Sequence, residues 1–527
     1  VQKGTLMPAM NRYFNIAGPC NPQEHYMLPS EMRRRELPDL IEQKQYFVIH
    51  AARQSGKTTL LFDLVNKLNA TGNYFALYCS LEALQDVPDA ATGIPAIMRM
   101  IKNQIMIKEL PDGAAFRDYL DYEDYLDGLR VALTMYCKKL SKPLIILFDE
   151  IDCLSNGTLI AFLRQLRNGY VNRATTPFVH SIGLIGMRNI RDYKGKIRDD
   201  RDTLGSASPF NIVTEALTLR NFTGEEIAQL LAQHTRDVGQ AFSLEFLDRV
   251  FHYTQGQPWL VNAVARQVVV KILNKDFSRA PLPAHVDQAV ETIIQRRHTH
   301  IDSLLERLKE ERVQKIVEPL LMGETRGVDP LDDDYQYVLD LGLLKESDGL
   351  LSFSNPIYSE VVVRYLGMKA QNEFPSNREA PVAYTTDDRL DMKRLLADFQ
   401  AFWREHSEIW LERFQYKEAA PHLVLMAFLQ KIAGQDRFIT REMASGRGRL
   451  DICIQHGGAR YPIEIKIRKS NKTAEEGKAQ LSAYMENLGC GEGWLVVFDR
   501  RKKPSWKSKL FWKTETVDEK IVHTVGC

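Results

Sequence analysis

The sequence predicts an α/β protein, with a largely parallel sheet covered by helices on both faces, then a helical segment and a second, smaller α/β body. Three observations carry this expectation. Apolar runs at 46–50, 74–80, 144–148 and 179–186 alternate with stretches of helical periodicity, and strands buried on both faces read as such continuous runs. The first run leads into a Gly56-Lys57 loop and a helical stretch at 58–69, a strand, loop, helix order. Near the other end, helical stretches at 388–413 and 418–432 and the segment 438–443 precede strands at 451–455 and 461–467. A helix at 474–488 and a strand at 493–499 follow, the latter expected to close that sheet.

Composition limits the function classes. A chain of 527 residues suffices for about three or four domains, each with its own core. Lys plus Arg number 69 against 68 Asp plus Glu, a net charge of +1, so any basic surface is local; the clearest basic stretch is 500–513. The seven cysteines are scattered without a CxxC pair, which predicts reduced thiols rather than a disulfide frame or a zinc site. No apolar run approaches the roughly 20 residues of a membrane span, and no basic-then-apolar leader opens the chain. The expectation is a cytoplasmic protein without a membrane partner.

In chain order, residues 1–40 form an N-terminal extension, irregular and rich in Pro, Asn and Met, with Gly18-Pro19 and the triplet Arg33-Arg34-Arg35; it is expected to pack on the domain that follows. Residues 41–220 form the first α/β core. From 221 to 299 the pattern is helical only, as a lid would be, and Gly256-Gln257-Pro258-Trp259 interrupts it where Pro258 suits the first turn of a new helix. Residues 300–369 read as an amphipathic helix near 302–322, a helix around 334–341, and a hairpin formed by Leu343 to Glu346 and Leu350 to Phe353. That order resembles a winged helix. Because the hairpin is acidic where a DNA-reading wing would attract phosphate, a packing or dimerisation role and a DNA role both stay open. Residues 370–387, with Pro375, Ser376 and Pro381, form the best linker, and 388–527 the last domain.

The first chemistry-bearing motif is Ala51-Ala52-Arg53-Gln54-Ser55-Gly56-Lys57-Thr58-Thr59. It matches GxxxxGK[ST] except that Ala51 replaces the first Gly, which is tolerable if that residue keeps a negative φ. Gly56 allows backbone N–H groups to approach phosphates, Lys57 reaches the outer phosphates, and Thr58 ligates Mg²⁺ at the positive end of a helix dipole. A second motif, Leu144-Ile-Ile-Leu-Phe-Asp149-Glu150, ends a buried strand in two carboxylates. Asp149 is placed to hold the water shell of Mg²⁺ and Glu150 to orient or deprotonate the attacking water; a Glu beside the Asp favours hydrolysis over simple nucleotide storage. After the next strand, Arg188, Asn189 or Arg191 could sense the γ-phosphate, surface ion pairing being the other reading of the arginines.

Residues 10 to 295 resemble the P-loop ATPases of the AAA-like and STAND group. The resemblance implies a P-loop NTPase sheet with an extra strand between the two nucleotide motifs, a Gly-x-Pro element in the lid, ATP with Mg²⁺ as cofactors, and a nucleotide-controlled switch. Arg12-Tyr-Phe-Asn15, Gly18-Pro19 and His25-Tyr26 look like the opening of bacterial AAA-like ATP-binding proteins, which implies that this segment covers the adenine. The lid carries no evident arginine at the sensor-two position of AAA+ proteins, which argues against a ring-forming motor.

The C-terminal constellation is Asp451, at the start of one hairpin strand, with Glu464-Ile465-Lys466 on the other. Alternation puts Glu464 and Lys466 on one face. Two carboxylates plus the Ile465 carbonyl suit Mg²⁺ or Mn²⁺, and Lys466 would position water or stabilise a pentavalent phosphorus. Gln480 and Tyr484 share a helix face downstream. Over about 390–515 these residues resemble the PD-(D/E)XK nuclease superfamily, with a restriction-endonuclease-like α/β fold. Asp451, Glu464, Lys466 and the Gln480/Tyr484 pair match its motif, Glu418 is a candidate for its additional acid, and Leu450 stands where Pro is usual. Arg447 and Arg449 would hold flanking phosphates or form salt bridges within the turn.

The reading is thus an ATP-binding and hydrolysing protein that controls a metal-dependent nuclease acting on DNA rather than RNA, in defence, mobile-element or repair work. A nucleotide-gated signalling or scaffold protein with a silent nuclease-like domain, an RNA-directed nuclease, and homo-oligomerisation all stay open.

Overall fold

The computed structural model describes residues 12–116, 125–187, 213–296, 299–321, 332–347, 349–371, 384–386, 389–413, 420–433, 438–443, 450–456, 458–468, 473–499 and 505–527. The chain divides into two compact units, Val1–His298 with Gln336–Leu343, and Thr299–Tyr335 with Leu344–Cys527.

The first unit is built on strands β1 (Tyr46–His50), β2 (Phe75–Ser80), β3 (Leu144–Asp149), β4 (Ser181–Gly186) and β5 (Val213–Thr218), in the order β2-β3-β4-β1-β5. Every pairing in this sheet is parallel. β4 therefore separates β1 from β3, the strand order that the resemblance implied. The apolar runs divide residue by residue between two cores. Phe47, Ile49, Ile145 and Leu147 meet Leu60, Leu61 and Leu64 of the helix Lys57–Ala70 on one face. On the other, Val48, Ile146, Phe148, Ile182 and Leu184 meet Ile94 and Ile97 of the helix Ala90–Ile107 and Phe162 and Leu166 of the helix Asn156–Asn172. β5 was not foreseen from the sequence: it is an edge strand, paired only with β1, and its Val-Thr-Glu-Ala-Leu-Thr lacks the apolar run of a central strand.

The lid is helical as expected, with helices Gly224–Val238, Leu244–Thr254, Pro258–Arg266 and Pro283–Gln295 and a π-helical turn at Gln267–Ile272. A capping box starts the first of these: Glu226 N–H donates to Thr223 Oγ1 at 3.2 Å and Thr223 N–H to Glu226 Oε2 at 2.8 Å. Gln257 caps the third through Leu260 N–H at 2.6 Å, with Pro258 in its first turn. The N-terminal extension is strapped across this unit. Ser30 N–H donates to Asp63 at 2.7 Å, Gln233 to the Met27 carbonyl at 2.9 Å, Trp259 Nε1–H to the Ile16 carbonyl at 2.8 Å, and Arg12 pairs with Asp237 at 2.7 Å.

In the second unit the single helix expected near 302–322 is two, Thr299–Arg307 and Glu311–Leu321. Glu310 sits at the break and takes ion pairs from Arg307 (2.9 Å) and Arg312 (2.7 Å), while Gln314 Nε2–H occupies the Leu308 carbonyl at 2.7 Å. Hydrophobic periodicity alone does not see such side-chain competition for the backbone. The helix Asp333–Asp340, whose residues from Gln336 onward belong to the first unit, precedes β6 (Leu344–Ser347) and β7 (Leu350–Phe353), which form the expected antiparallel hairpin, and a helix Pro356–Gln371 follows it and packs on Ala420–Ala433. Of the linker, 372–383 and 387–388 lie outside the described residues. Two short strands, β8 (Thr385–Thr386) and β9 (Arg389–Leu390), lead to the helix Met392–Arg413.

The main sheet here has six strands: β10 (Phe438–Met443), β11 (Leu450–His456), β12 (Ala459–Ile467), β13 (Glu492–Phe498), β14 (Phe511–Val517) and β15 (Lys520–Gly526), ordered β10-β11-β12-β13-β15-β14. The strand at 493–499 does not close this sheet. β15 pairs parallel to β13, and β14 forms the edge antiparallel to β15. The exposed positions along β14 make it read as polar sequence rather than strand. β12 and β13 are parallel and joined through the helix Thr473–Leu488, which buries Leu481, Tyr484 and Met485 against Leu495 and Val497. On the opposite face Phe399 and Trp403 meet the Phe498 ring at 6.0 and 5.0 Å.

Gly256 closes the lid on its base. Its φ is +73°, and a Cβ there would stand 1.8 Å from the Phe222 carbonyl oxygen, while Phe222 N–H donates to the Gly256 carbonyl at 2.8 Å. Gly256→Ala is expected to lower unfolding free energy by at least about 2 kcal/mol; an unchanged urea midpoint would refute this account of the joint.

Candidate functional site

β1 ends at His50, and the next six residues turn into the helix that starts at Lys57. Two of them have positive φ, Gln54 (+55°) and Gly56 (+87°), so Ala51 keeps the negative φ that a side chain there requires. Ala51 N–H reaches the Gly186 carbonyl at 3.3 Å, tying the loop to the tip of β4. Lys57, 6% exposed, donates to the carbonyls of Ala51 (2.7 Å) and Ala52 (3.0 Å). Burial pushes its ammonium below the ordinary value, against the pull of Glu150, Asp149 and Asp152.

The strand order brings β3 to the same edge. Asp149 is 1% exposed and accepts from Thr58 Oγ1–H at 2.8 Å, Tyr78 O–H at 3.0 Å and Glu150 N–H at 3.0 Å. Thr58 and Asp149 thus offer two adjacent oxygen donors of the kind a hard divalent cation takes. Glu150 adopts a left-handed conformation, φ +58°, at the head of a short 3₁₀ turn. Burial first, then Asp149, raises its carboxyl above the usual range despite Lys57. Arg53 is exposed, Ser55 is buried, and Thr59 Oγ1 accepts from Cys20 N–H at 2.9 Å. Arg188, Asn189 and Arg191 lie outside the described residues.

Several residues at this site were not singled out from the sequence. Tyr78 on β2 reaches Asp149 only because β2 and β3 are neighbours. Asp152 accepts from Met187 N–H, and a Cβ at Gly186 would stand 2.6 Å from its Oδ2. Gln257, seen in the sequence as a helix start, also donates to the Gln54 carbonyl at 3.3 Å. Arg33, noticed only within a basic triplet, is 6% exposed: Nη2 donates to the carbonyls of Ser55 (3.2 Å) and Arg220 (2.8 Å), and the guanidinium lies 4.6 Å from the Phe222 ring centroid. Burial pushes it down to about 10, although Glu226 pulls the other way. A buried arginine inside a basic run has no sequence signature, since runs of charge normally face water.

In the second unit Glu464 and Lys466, 1% and 2% exposed, are in contact, and Lys466 Nζ also contacts Gln480 Oε1. The helix Thr473–Leu488 comes close enough for this because a Cβ at its Gly477 would already touch Lys466 Cγ at 3.0 Å. Ile465 lies between them on β12 with its side chain to the other face. Asp451 pairs with Glu442 of β10 through the backbone, and its strand neighbour Ile452 pairs with Ile463, next to Glu464; its side chain lies outside the described residues, as do Glu418, Arg447 and Arg449. Among the described residues no three His, Cys, Asp or Glu side chains gather around one point. Nor is any described helix long and apolar enough to cross a membrane.

Two family models match the chain: an AAA-like domain over residues 21–359 and a domain of unknown function (DUF8371) over 399–502. No curated protein matches it. Solved structures that resemble it include the Walker-type ATPase PABY2304 of Pyrococcus abyssi, at 15% identity over 66% of this chain and 99% of that one, with a TM-score of 0.47. Others are the ORC2 protein of Aeropyrum pernix (14% identity, 64% and 93% covered, TM-score 0.37) and the RuvB Holliday junction branch migration motor of Thermotoga maritima (13%, 63% and 92%, 0.34).

Tyr78→Phe removes one of the three donors to a buried carboxylate. It is expected to reduce unfolding free energy by roughly 1.5–3 kcal/mol, read from chemical denaturation; an unaffected stability would mean that the Tyr78 hydroxyl does not support Asp149.

Proposed function

The chain belongs to the AAA-like domain family, and on that premise we propose that its first unit binds and hydrolyses ATP with Mg²⁺, controlling a metal-dependent DNA nuclease in its C-terminal domain. The observation that carries the ATPase half is the Thr58–Asp149 contact at 2.8 Å beside Lys57 at the head of a helix. Residues 91 positions apart in the sequence meet there in the arrangement a Mg-nucleotide needs. The N–H groups of the loop and the first helical turn would cradle the phosphates. Lys57, now held by two carbonyls, would exchange them for phosphate oxygens, and its low solvation makes an anionic partner favourable. Thr58 and Asp149 would hold Mg²⁺, which would neutralise charge on the outer phosphates. Glu150 would orient the attacking water and take its proton.

Lys57→Ala and Glu150→Gln should each reduce ATP turnover at least about a hundredfold; retained hydrolysis in both sinks the site. Glu150 works as the carboxylate and its pKa is raised in the free protein, so kcat/KM, which reports the free enzyme, should fall with decreasing pH at a midpoint above the usual 4.5 of a glutamate. An acid limb at or below 4.5 would contradict that assignment.

In the C-terminal domain the buried Glu464–Lys466–Gln480 contact supports the nuclease reading, because a solvated sheet face would not hold an ion pair under a helix. Asp451, Glu464 and the Ile465 carbonyl would hold the metal, Gln480 would position Lys466, and Lys466 would help deliver water to the phosphodiester. Residues 300–369 would act as a winged-helix-like module in nucleotide-dependent control. Plasmid DNA and labelled RNA incubated with Mg²⁺, with and without ATP, test this. Cleavage of DNA that Lys466→Ala abolishes is the expected result; equal background from wild type and variant on both substrates leaves a silent nucleic-acid-binding domain.

A further inference from the structure

The basic stretch at 500–513 has Lys or Arg at 500–503, 507, 509 and 513 and no Asp or Glu, and neither the ATPase nor the nuclease chemistry uses it. Its described part, 505–513, interleaves the aromatic residues Trp506, Phe511 and Trp512 with Lys507, Lys509 and Lys513. Lys507 and Lys513 are exposed, and Lys509 Nζ lies 5.2 Å from the Trp506 ring centroid. Trp512 belongs to the edge strand β14 and ends a row of rings that crosses the sheet. Tyr461 on β12, Trp494 on β13, His523 on β15 and Trp512 follow one another with centroids 5.8, 5.6 and 5.8 Å apart. Tyr461 and Trp494 are the buried root of the row at 7% and 4% exposure, whereas His523 and Trp512 are half-buried; all four line a cavity of about 840 Å³. Alternation along β12 and β13 puts the row on the face away from the helix Thr473–Leu488, so it is separate from Glu464 and Lys466.

Arg389, Lys393 and Arg460 line the same cavity and are exposed. Its two carboxylates are engaged. Asp391 caps the helix Met392–Arg413 by accepting Arg394 N–H at 3.0 Å, and Glu492 meets His523 Nε2 at 2.7 Å. The Tyr461 hydroxyl accepts Leu390 N–H at 3.0 Å, which holds the inner end of the row in place. An aromatic surface beside an excess of cations suits a ligand that carries both π-faces and repeated negative charge. A single strand of nucleic acid is such a ligand, because its base faces are open where a duplex hides them in its own stack, and its phosphates pair with the cations. An acidic peptide would satisfy the cations and leave the rings unused. We infer that Trp512, backed by His523, stacks an unpaired base while Arg389 and Lys393 hold its flanking phosphates, a single-strand site separate from the cleavage centre. The Lys507–Lys513 stretch continues the positive surface. The inference rests on the nucleic-acid partner proposed above.

Fluorescence anisotropy of the full chain with a labelled oligothymidylate and with a duplex of equal length, in EDTA so that nothing is cleaved, tests it. Wild type should bind the oligothymidylate more tightly than the duplex. Trp512→Leu should weaken that binding at least about fivefold, while Trp512→Phe, which keeps an aromatic face, should stay within about twofold of wild type. Lys393→Ala, at an exposed position, should reduce the steepness of log affinity against log salt concentration by about 0.7, a readout that stands even if Trp512→Leu does not fold. Wild-type affinity in a folded Trp512→Leu, or an unchanged slope in Lys393→Ala, overturns the site and leaves the nuclease reading standing. So does a duplex bound as tightly as the single strand, or equal displacement of the oligothymidylate by polyglutamate, which would mark an acidic protein partner. A wild type that binds neither nucleic acid overturns the nucleic-acid reading itself and this site with it.

Discussion

The first unit depends on keeping the Asp149 carboxylate buried at the end of a sheet. A lone carboxylate in that position would be expelled or neutralised. It stays because three donors from three places in the sequence converge on it: the Thr58 hydroxyl, the Tyr78 hydroxyl and the Glu150 N–H. Each is delivered by strand order. β2 beside β3 brings Tyr78, and β4 between β3 and β1 sets the distance at which the helix after β1 presents Thr58. The apolar runs that make the sheet are therefore also what makes the charged site possible.

The same economy holds where the extension and the lid meet the phosphate loop. Arg33 bonds to the carbonyls of Ser55 and Arg220, Gln257 to that of Gln54, and Cys20 N–H to Thr59, so three chain segments fix the loop through its own backbone and first turn. A loop held in this way is pre-organised for phosphate, because its N–H groups are already oriented before any ligand arrives. The left-handed Gln54 is the local strain that this geometry carries, while Gly56 adopts its positive φ without one.

In the second unit burial changes the meaning of a familiar spacing. Glu464 and Lys466 two residues apart on a strand would ordinarily be a solvated face, yet here the helix Thr473–Leu488 covers them and Gln480 joins the pair. The close approach at Gly477 allows this, and a larger residue there would lift the helix away.

Much of this was legible in the sequence. The loop at 51–59, the acidic strand end at 149–150, the parallel sheet, the helical lid and the β11–β12 hairpin follow from local patterns, because phosphate loops, strand tips and buried strands have characteristic residues at characteristic spacings. What local pattern does not carry is which strands are neighbours and which charges are buried. β5 and β14 were invisible because edge strands need no apolar run, β15 because Lys520, His523 and Thr524 break its apolar run although it lies between β13 and β14, and the split at Leu308–Glu310 because side chains there compete with the helix backbone. Tyr78, Asp152 and Arg33 stand at the site only through contacts between segments up to 187 residues apart. The sequence by itself determined the kinds of chemistry present, since those reside in residue type and short spacing. The tertiary structure decided which residues share a site, because burial and strand order arise only when distant segments pack together.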